Sequence, residues 1–329
     1  MTIEIAASRK ALTESGPLDY DDPSQLPDFY TTATLGFDLS GLGARPTEIP
    51  GEYGPEMAVS ALNFPLLVAS VNAAFQGGID YIQLNHNFQM YGGEAAAAFH
   101  QSALLDGVKT AEKIAEMVPA GGLNIEVPLD LELGLPAIKG FLADFSGKKS
   151  ISVGIREPAD IELLARFSQA AKENNLKIVA ICADLQFLTD HAAKIAGLVD
   201  SVQLRAGTIA QAREMRFCFH ELGKTAGRKI KLVVELGIVI SATVQSATER
   251  AALISELSHS PLFDGIANSV GTVYDVADQI EKWVGSGAAD GILFVPASLP
   301  TDLASVLKGV VPLMRERAKL DVPISFTES

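Results

Sequence analysis

Short apolar runs alternate with amphipathic stretches along most of the chain. The runs are TATLGFD (32–38), DYIQLNH (80–86), GLNIEVPL (122–129), KSISVGI (149–155), LKIVAICA (176–183), DSVQLRAG (200–207), KIKLVVELG (229–237) and DGILFVPA (290–297). Their length and their β-branched content read as strands. Between most of them apolar residues recur at three- and four-residue spacing, as in FPLLVASVNAAFQGG, ADIELLARFSQAAKENN, TIAQAREMRFCFHELGKTAG and SATERAALISELS. That spacing marks helices that bury one face. Eight strands alternating with helices predict a parallel sheet covered on its outer side, and the count of eight predicts a closed (β/α)8 TIM barrel.

No low-complexity linker or composition break interrupts the alternation, so one barrel domain is expected over 31–320. Residues 1–30 are polar, carry the acidic stretch DYDD and several prolines, and read as an arm outside it. Residues 321–329 form a short tail. The last fifty residues of the domain close it in order. A helix opens at Gly271–Thr272, GSGAADG makes the return, ILFVPA is the eighth strand, and TDLASVLKGVVPLMRERAKL is a closing helix with Thr301 or Asp302 placed to cap it.

In 329 residues, 48% of them hydrophobic, there is ample material for one large core. A net charge of −14 argues against a basic nucleic-acid footprint, and no basic tract resembles a membrane-surface helix. The opening residues lack the layout of a signal peptide and no apolar run suits a bilayer span, so a cytoplasmic location is expected. Cys182 and Cys218 are too few for a disulfide framework and read as buried free thiols. The five histidines and two cysteines form no ligand-spaced pair, so no metal is expected.

Strand residues alternate between the helix-facing outside, which must be apolar, and the barrel interior. That places Tyr81, Gln83 and Asn85 inside, with Asn124, Glu126, Ser150, Ser152, Gln203, Arg205, Val233 and Glu235, and Thr32, Thr34, Gly36 and Asp38 on the first strand. Barrel centres are commonly filled by Val, Ile and Leu, so this interior is unusually polar. Isolated buried charges are costly, which predicts that Arg205 pairs with Glu235, with Glu126 a further candidate. Such a network either fills the barrel or lines a pocket at its mouth. Asp38, Asn85, Asn87, Pro128, Asp130, Arg156, Asp184 and Arg205 lie at or just past strand ends, where barrel enzymes place their chemistry. His86, between two asparagines, reads equally as an acid–base group and as a loop histidine satisfied by backbone.

The segment 271–320 resembles the C-terminal part of the bacterial luciferase-like flavin-dependent oxidoreductases. The elements that carry the resemblance are Gly271-Thr272, Val276-Ala277-Asp278, the turn from Gly287 to Gly291, Leu299 to Leu303, and Val310 to Leu313. AAFQGGIDYIQL and TVQSATERAALISEL are similar to upstream elements, so the likeness covers most of 31–320, strongest in the tail. It implies a barrel with reduced flavin mononucleotide (FMN) or the deazaflavin coenzyme at the C-terminal mouth, acting on a small organic substrate. It also implies the site. Asn85 and His86 would be catalytic, and Asp38 and Pro128 would lie at the ring, with Arg205 in the same mouth. Arg156, Thr208 or the Gly271–Thr272 helix start would take the phosphate. The Gly-Ser-Ser turn that relatives often carry after strand five is replaced here by Asp184, and the insertion around strand four is short. The family also contains non-catalytic subunits, so a binding module or partner subunit without flavin is the alternative. A homodimer, or a heterodimer with a related barrel, is expected through the helices after strands one to three.

Overall fold

The computed structural model describes residues 3–6, 30–43, 64–85, 107–118, 121–139, 141, 145–258 and 261–320. Its strands are β1 (Ile3–Ala6), β2 (Tyr30–Asp38), β3 (Tyr81–Asn85), β4 (Gly122–Glu126) and β5 (Lys148–Gly154). They continue with β6 (Lys177–Cys182), β7 (Ser201–Leu204), β8 (Lys231–Ile240), β9 (Ala267–Gly271) and β10 (Gly291–Pro296). The helices are α1 (Phe64–Gly77), α2 (Gly107–Met117), α3 (Gly134–Ile138), α4 (Pro158–Glu173) and α5 (Leu185–Ala196). After them come α6 (Ile209–Thr225), α7 (Val244–Ser258), α8 (Val273–Gly285), α9 (Thr301–Ser305) and α10 (Val311–Leu320).

Eight parallel strands close on themselves. The order runs β2-β10-β8-β7-β6-β5-β4-β3, and β3 returns to β2. This is the barrel that the alternation predicts. Two strands are additional. β1 pairs antiparallel with the start of β2, from Ile3 opposite Ala33 to Ala6 opposite Tyr30, so a strand stands where the sequence suggests only an arm. β9 pairs parallel with Leu236–Ile240 of β8, above the point where β7 stops pairing. Its sequence, ANSVG, is poor in strand formers, and it is held by an extension of β8 three residues past the expected end. β4 stops early for a local reason. Val127 N donates to Ser152 O, and Pro128 then has no N–H to continue the ladder.

The in–out alternation follows the expected register. Ile82, Leu84, Leu123, Ile125, Ile151, Val153, Val202, Leu204, Val234 and Leu236 belong to the core between barrel and helices. Gln83, Asn124, Ser152, Gln203 and Glu235 are buried on the opposite face. The lower rim is fixed by three aspartates placed just before strands. Asp80 accepts Leu35 N (2.9 Å), Asp200 accepts Ile178 N (3.0 Å) and Asp290 accepts Leu232 N (2.9 Å). Each ties the start of one strand to its neighbour.

The closing helix carries a π turn at Val306–Val310, between α9 and α10. Pro312 follows it, lacks an N–H and would crowd the carbonyl four residues back, so a wide turn here absorbs the mismatch. A Cβ on Gly309 would come 2.6 Å from Val273, so a glycine is needed for α8 to begin this close.

Candidate functional site

The strand register brings most of the named polar residues into one barrel. Its interior divides into two networks. On the β3–β5 side, Asn124 Nδ2 donates to Gln83 (2.8 Å) and lies 2.6 Å from Ser152 Oγ, while Ser150 Oγ donates to Asn124 Oδ1 (2.9 Å). On the β7–β8 side, Gln203 Nε2 donates to Glu235 Oε1 (2.6 Å), and Arg205 Nε reaches both Glu235 oxygens at 3.0 Å. The Arg205–Glu235 pair is therefore formed, with Glu235 fully buried and Arg205 partly open to the mouth. Burial pushes the Glu235 carboxyl up, Arg205 and Gln203 pull it down, and the nearby Glu126 charge adds to the rise, which prevails.

Asp38 ends β2 and is buried at the C-terminal mouth. Its Oδ1 accepts Ser40 N (2.7 Å), and Ser40 Oγ accepts Asn85 N (2.8 Å), so Asp38 and Asn85 are joined through Ser40. Burial raises Asp38 to about 7 against the pull of the Ser40 hydrogen bonds, with the Glu126 and Glu235 charges adding to the rise. A carboxyl that titrates near neutrality can take or give a proton at working pH. Tyr81 fills the barrel below it. A Cβ on Gly36 would come 2.2 Å from the Tyr81 ring, so glycine admits that ring, and burial raises the phenol well above its usual range.

The remaining candidates sit at the rim. Pro128 is half-buried, and its carbonyl packs against Gly134 at the start of α3. Arg156 is exposed in the β5–α4 turn, where its backbone N donates to Asp160 (2.6 Å). Gly271 and Thr272 lead into α8, but Asp275 already occupies that helix start. Its Oδ2 accepts Thr272 N and Thr272 Oγ1, each at 2.7 Å, and a Cβ on Gly271 would meet the same carboxylate. Those two hydrogen bonds hold the Asp275 carboxyl below its usual range. His86 and Asn87 lie outside the described residues.

That arrangement recurs. Asp130 closes the start of α3, Glu157 and Asp160 close α4, Asp184 closes α5, and Asp302 takes Ser298 N before α9. With Asp275 at α8, five helix starts on the C-terminal side carry the chain's own carboxylates. The starts of α6 and α7 differ and are closed by hydroxyls, Thr208 with Gln211 and Thr243 with Ser246. Of these starts, those of α6, after the Arg205 to Thr208 turn, and of α7 meet an anion without a capping carboxylate.

Sequence reasoning missed one wall of this mouth. Phe263, in the turn between α7 and β9, has φ of 59° and presses its ring onto Gly237, where a Cβ would come within 2.3 Å. Val239, Ala297 and Val270 complete an apolar patch around it. Nothing local in SPLFDG announces such a contact, which depends on the extension of β8 and on β9. Ser40 had a readable signal, because Asp followed two residues on by Ser is a common turn in which the carboxylate accepts an amide.

Cys182 is buried and Cys218 partly so, both free. Burial pushes the Cys182 thiol up to about 11, which leaves it unreactive. Among the described residues no group of three candidate ligands could hold a metal ion, and no helix is long and apolar enough to cross a membrane.

No protein-family model matches the sequence, and no curated protein sequence does. Solved structures match the fold. An EDTA monooxygenase from Chelativorans sp. BNC1 aligns over 87% of this chain and 94% of its own, with a TM-score of 0.63 and 13% identity. A riboflavin lyase, solved with modified FMN and riboflavin, aligns over 87% and 92%, with a TM-score of 0.65 and 12% identity. The coenzyme F420-dependent tetrahydromethanopterin reductase of Methanopyrus kandleri aligns over 86% and 99%, at 0.55 and 9%. The fold is that of the luciferase-like barrels. At these identities the likeness establishes architecture.

Proposed function

We propose that this luciferase-like barrel is an oxidoreductase that uses reduced flavin mononucleotide or a deazaflavin on a small organic substrate at its C-terminal mouth. The observation that carries the reading is Asp38, a buried carboxyl titrating at about 7 and tied through Ser40 to Asn85, at the mouth of a barrel of this fold. Flavin and deazaflavin dependence are properties of fold neighbours, and the choice between them is open in this chain.

A phosphate-bearing cofactor fits this mouth in one sector. The α8 start does not suit a dianion, because Asp275 already uses the Thr272 amide and hydroxyl. The β7–α6 turn does suit one. Arg205 opens it, Gly207 has nothing within 4 Å of the place a Cβ would occupy, and the α6 start is capped by the Thr208 hydroxyl, engaged with Gln211, where the α8 start has a carboxylate. Exposed Arg156 is the second cation available at the rim. A bound reduced cofactor would supply the hydride or the oxygen chemistry. The chain's part would be to hold its phosphate with Arg205, Thr208 and Arg156, to keep water out with Phe263 and Val239, and to move a proton at the Asp38 carboxyl. Asn85 would orient the substrate, and His86 is a second acid–base candidate.

The second reading is a barrel without flavin, serving as a binding module or partner subunit. The five carboxylate-closed helix starts favour it, since each repels a phosphate. Calorimetry with FMN and with a deazaflavin separates the two. The oxidoreductase reading expects saturable binding by the wild type, weakened by Arg156→Ala about 10- to 150-fold, the value of one charge-assisted contact. Heat-silent mixing at every concentration favours the partner subunit.

A further inference from the structure

The opposite end of the barrel carries an unexplained concentration of positive charge. Lys148 opens β5, Lys177 opens β6 and Lys231 opens β8. All three share the inward parity of the residues above them, Ser150, Val179 and Val233. Lys231 Nζ reaches past β10 to Thr34 Oγ1 on β2 (2.9 Å), at Gly291, which has no side chain to block it. Lys229 stands two residues before Lys231, and Ser201 pairs directly beside it on β7.

The three aspartates of this end each hold a strand amide, Asp80 that of Leu35. Asp290 holds Leu232 N, Arg216 and His220, and Asp200 holds Ile178 N, Lys177 and Arg228. Among the described residues Lys148, Lys229 and Lys231 form no ion pair, in a chain whose net charge is −14. Lys231 is also partly desolvated, and that burial, with the charges of Lys229 and Lys148, lowers its pKa. The Asp290 and Asp80 charges offset this only in part, and the repulsion left among the lysines is what a multivalent anion relieves.

From this geometry we infer that the N-terminal end of the barrel is an anion site, in which Lys148, Lys229 and Lys231 hold a phosphate-type oxyanion with the Thr34 and Ser201 hydroxyls as further donors. The site lies at the far end of the barrel from the proposed flavin mouth and is independent of it. Its ligand class is a small di- or polyphosphate, free or as the phosphate end of a metabolite.

Calorimetric titration with inorganic pyrophosphate at constant ionic strength tests the inference. The wild type should bind one equivalent. Lys148→Gln with Lys229→Gln should weaken binding at least about tenfold. Both side chains are exposed, and unchanged circular dichroism would confirm the fold of the variant. Lys308→Gln, on the closing helix, should bind as the wild type does. A sugar phosphate titrated in parallel distinguishes a metabolite end, if it binds more tightly, from free polyphosphate, if it binds less tightly. No saturable pyrophosphate binding, or binding that the double variant leaves intact, would overturn the site.

Discussion

Asp38 and Arg205 show what single residues contribute to this barrel. Asp38 has its folded-state pKa raised to about 7 by burial, so the folded protein holds a proton that the unfolded chain releases at lower pH. Its contribution to stability is therefore greatest below the ordinary carboxylate range. It declines as pH rises and reaches its full cost above about 7, on the order of 4 kcal/mol at about 1.4 kcal/mol per pKa unit. Asp38→Asn should remove that decline while keeping an acceptor for Ser40 N. Urea unfolding across the acid-to-neutral range checks it, and parallel curves for variant and wild type would refute it. Arg205 was legible in the sequence, since inward parity left it and Glu235 facing each other on adjacent strands. Arg205→Met should cost about 3–5 kcal/mol by stranding a buried carboxylate, and adding Glu235→Leu should restore most of it. A single variant with an unchanged urea midpoint would contradict the buried pair.

Between elements, much depends on contacts that a linear reading cannot see. The eight barrel strands were readable because a buried parallel strand is a short apolar run whatever its neighbours. β9 was not, because Asn268 and Ser269 gain strand geometry only from the edge that β8 offers. The α8 start reads two ways for a different reason. Thr272 and Asp275 have the spacing of a capping box, which was visible in the sequence, yet it also suits an anion cradle, and only the structure shows the carboxylate seated there. Thr272→Ala should destabilise the protein by about 1 kcal/mol, the usual value of an N-cap hydroxyl, measured by thermal or urea unfolding. The contact between the α7–β9 turn and β8 predicts more. Gly237→Ala drives a methyl into the Phe263 ring and should cost about 1–3 kcal/mol as the turn is displaced. A neutral result would show that the ring is not seated on β8.

For the whole molecule, the charge is unevenly arranged, with carboxylates closing the C-terminal rim and lysines gathered at the opposite end. The outer ring has its own asymmetry. α1 contains no charged residue and leaves Pro65, Leu66, Ala69 and Ala73 exposed, where an unpartnered helix on an acidic surface would carry charge. That supports association through the helices after the first barrel strands. Light scattering should give a dimer mass that Leu66→Glu shifts toward the monomer, and a monomeric wild type at micromolar concentration would count against it. The central claim, that the C-terminal mouth holds a flavin beside a carboxyl titrating near neutrality, is tested most directly by one absorbance titration. FMN would be added to the wild type and to Asp38→Asn at about pH 6 and about pH 8, either side of the Asp38 midpoint. The account predicts a saturable shift of the flavin bands whose pH dependence is reduced in the variant. No saturable shift up to about 1 mM, where binding would be worth only about 4 kcal/mol, would contradict it.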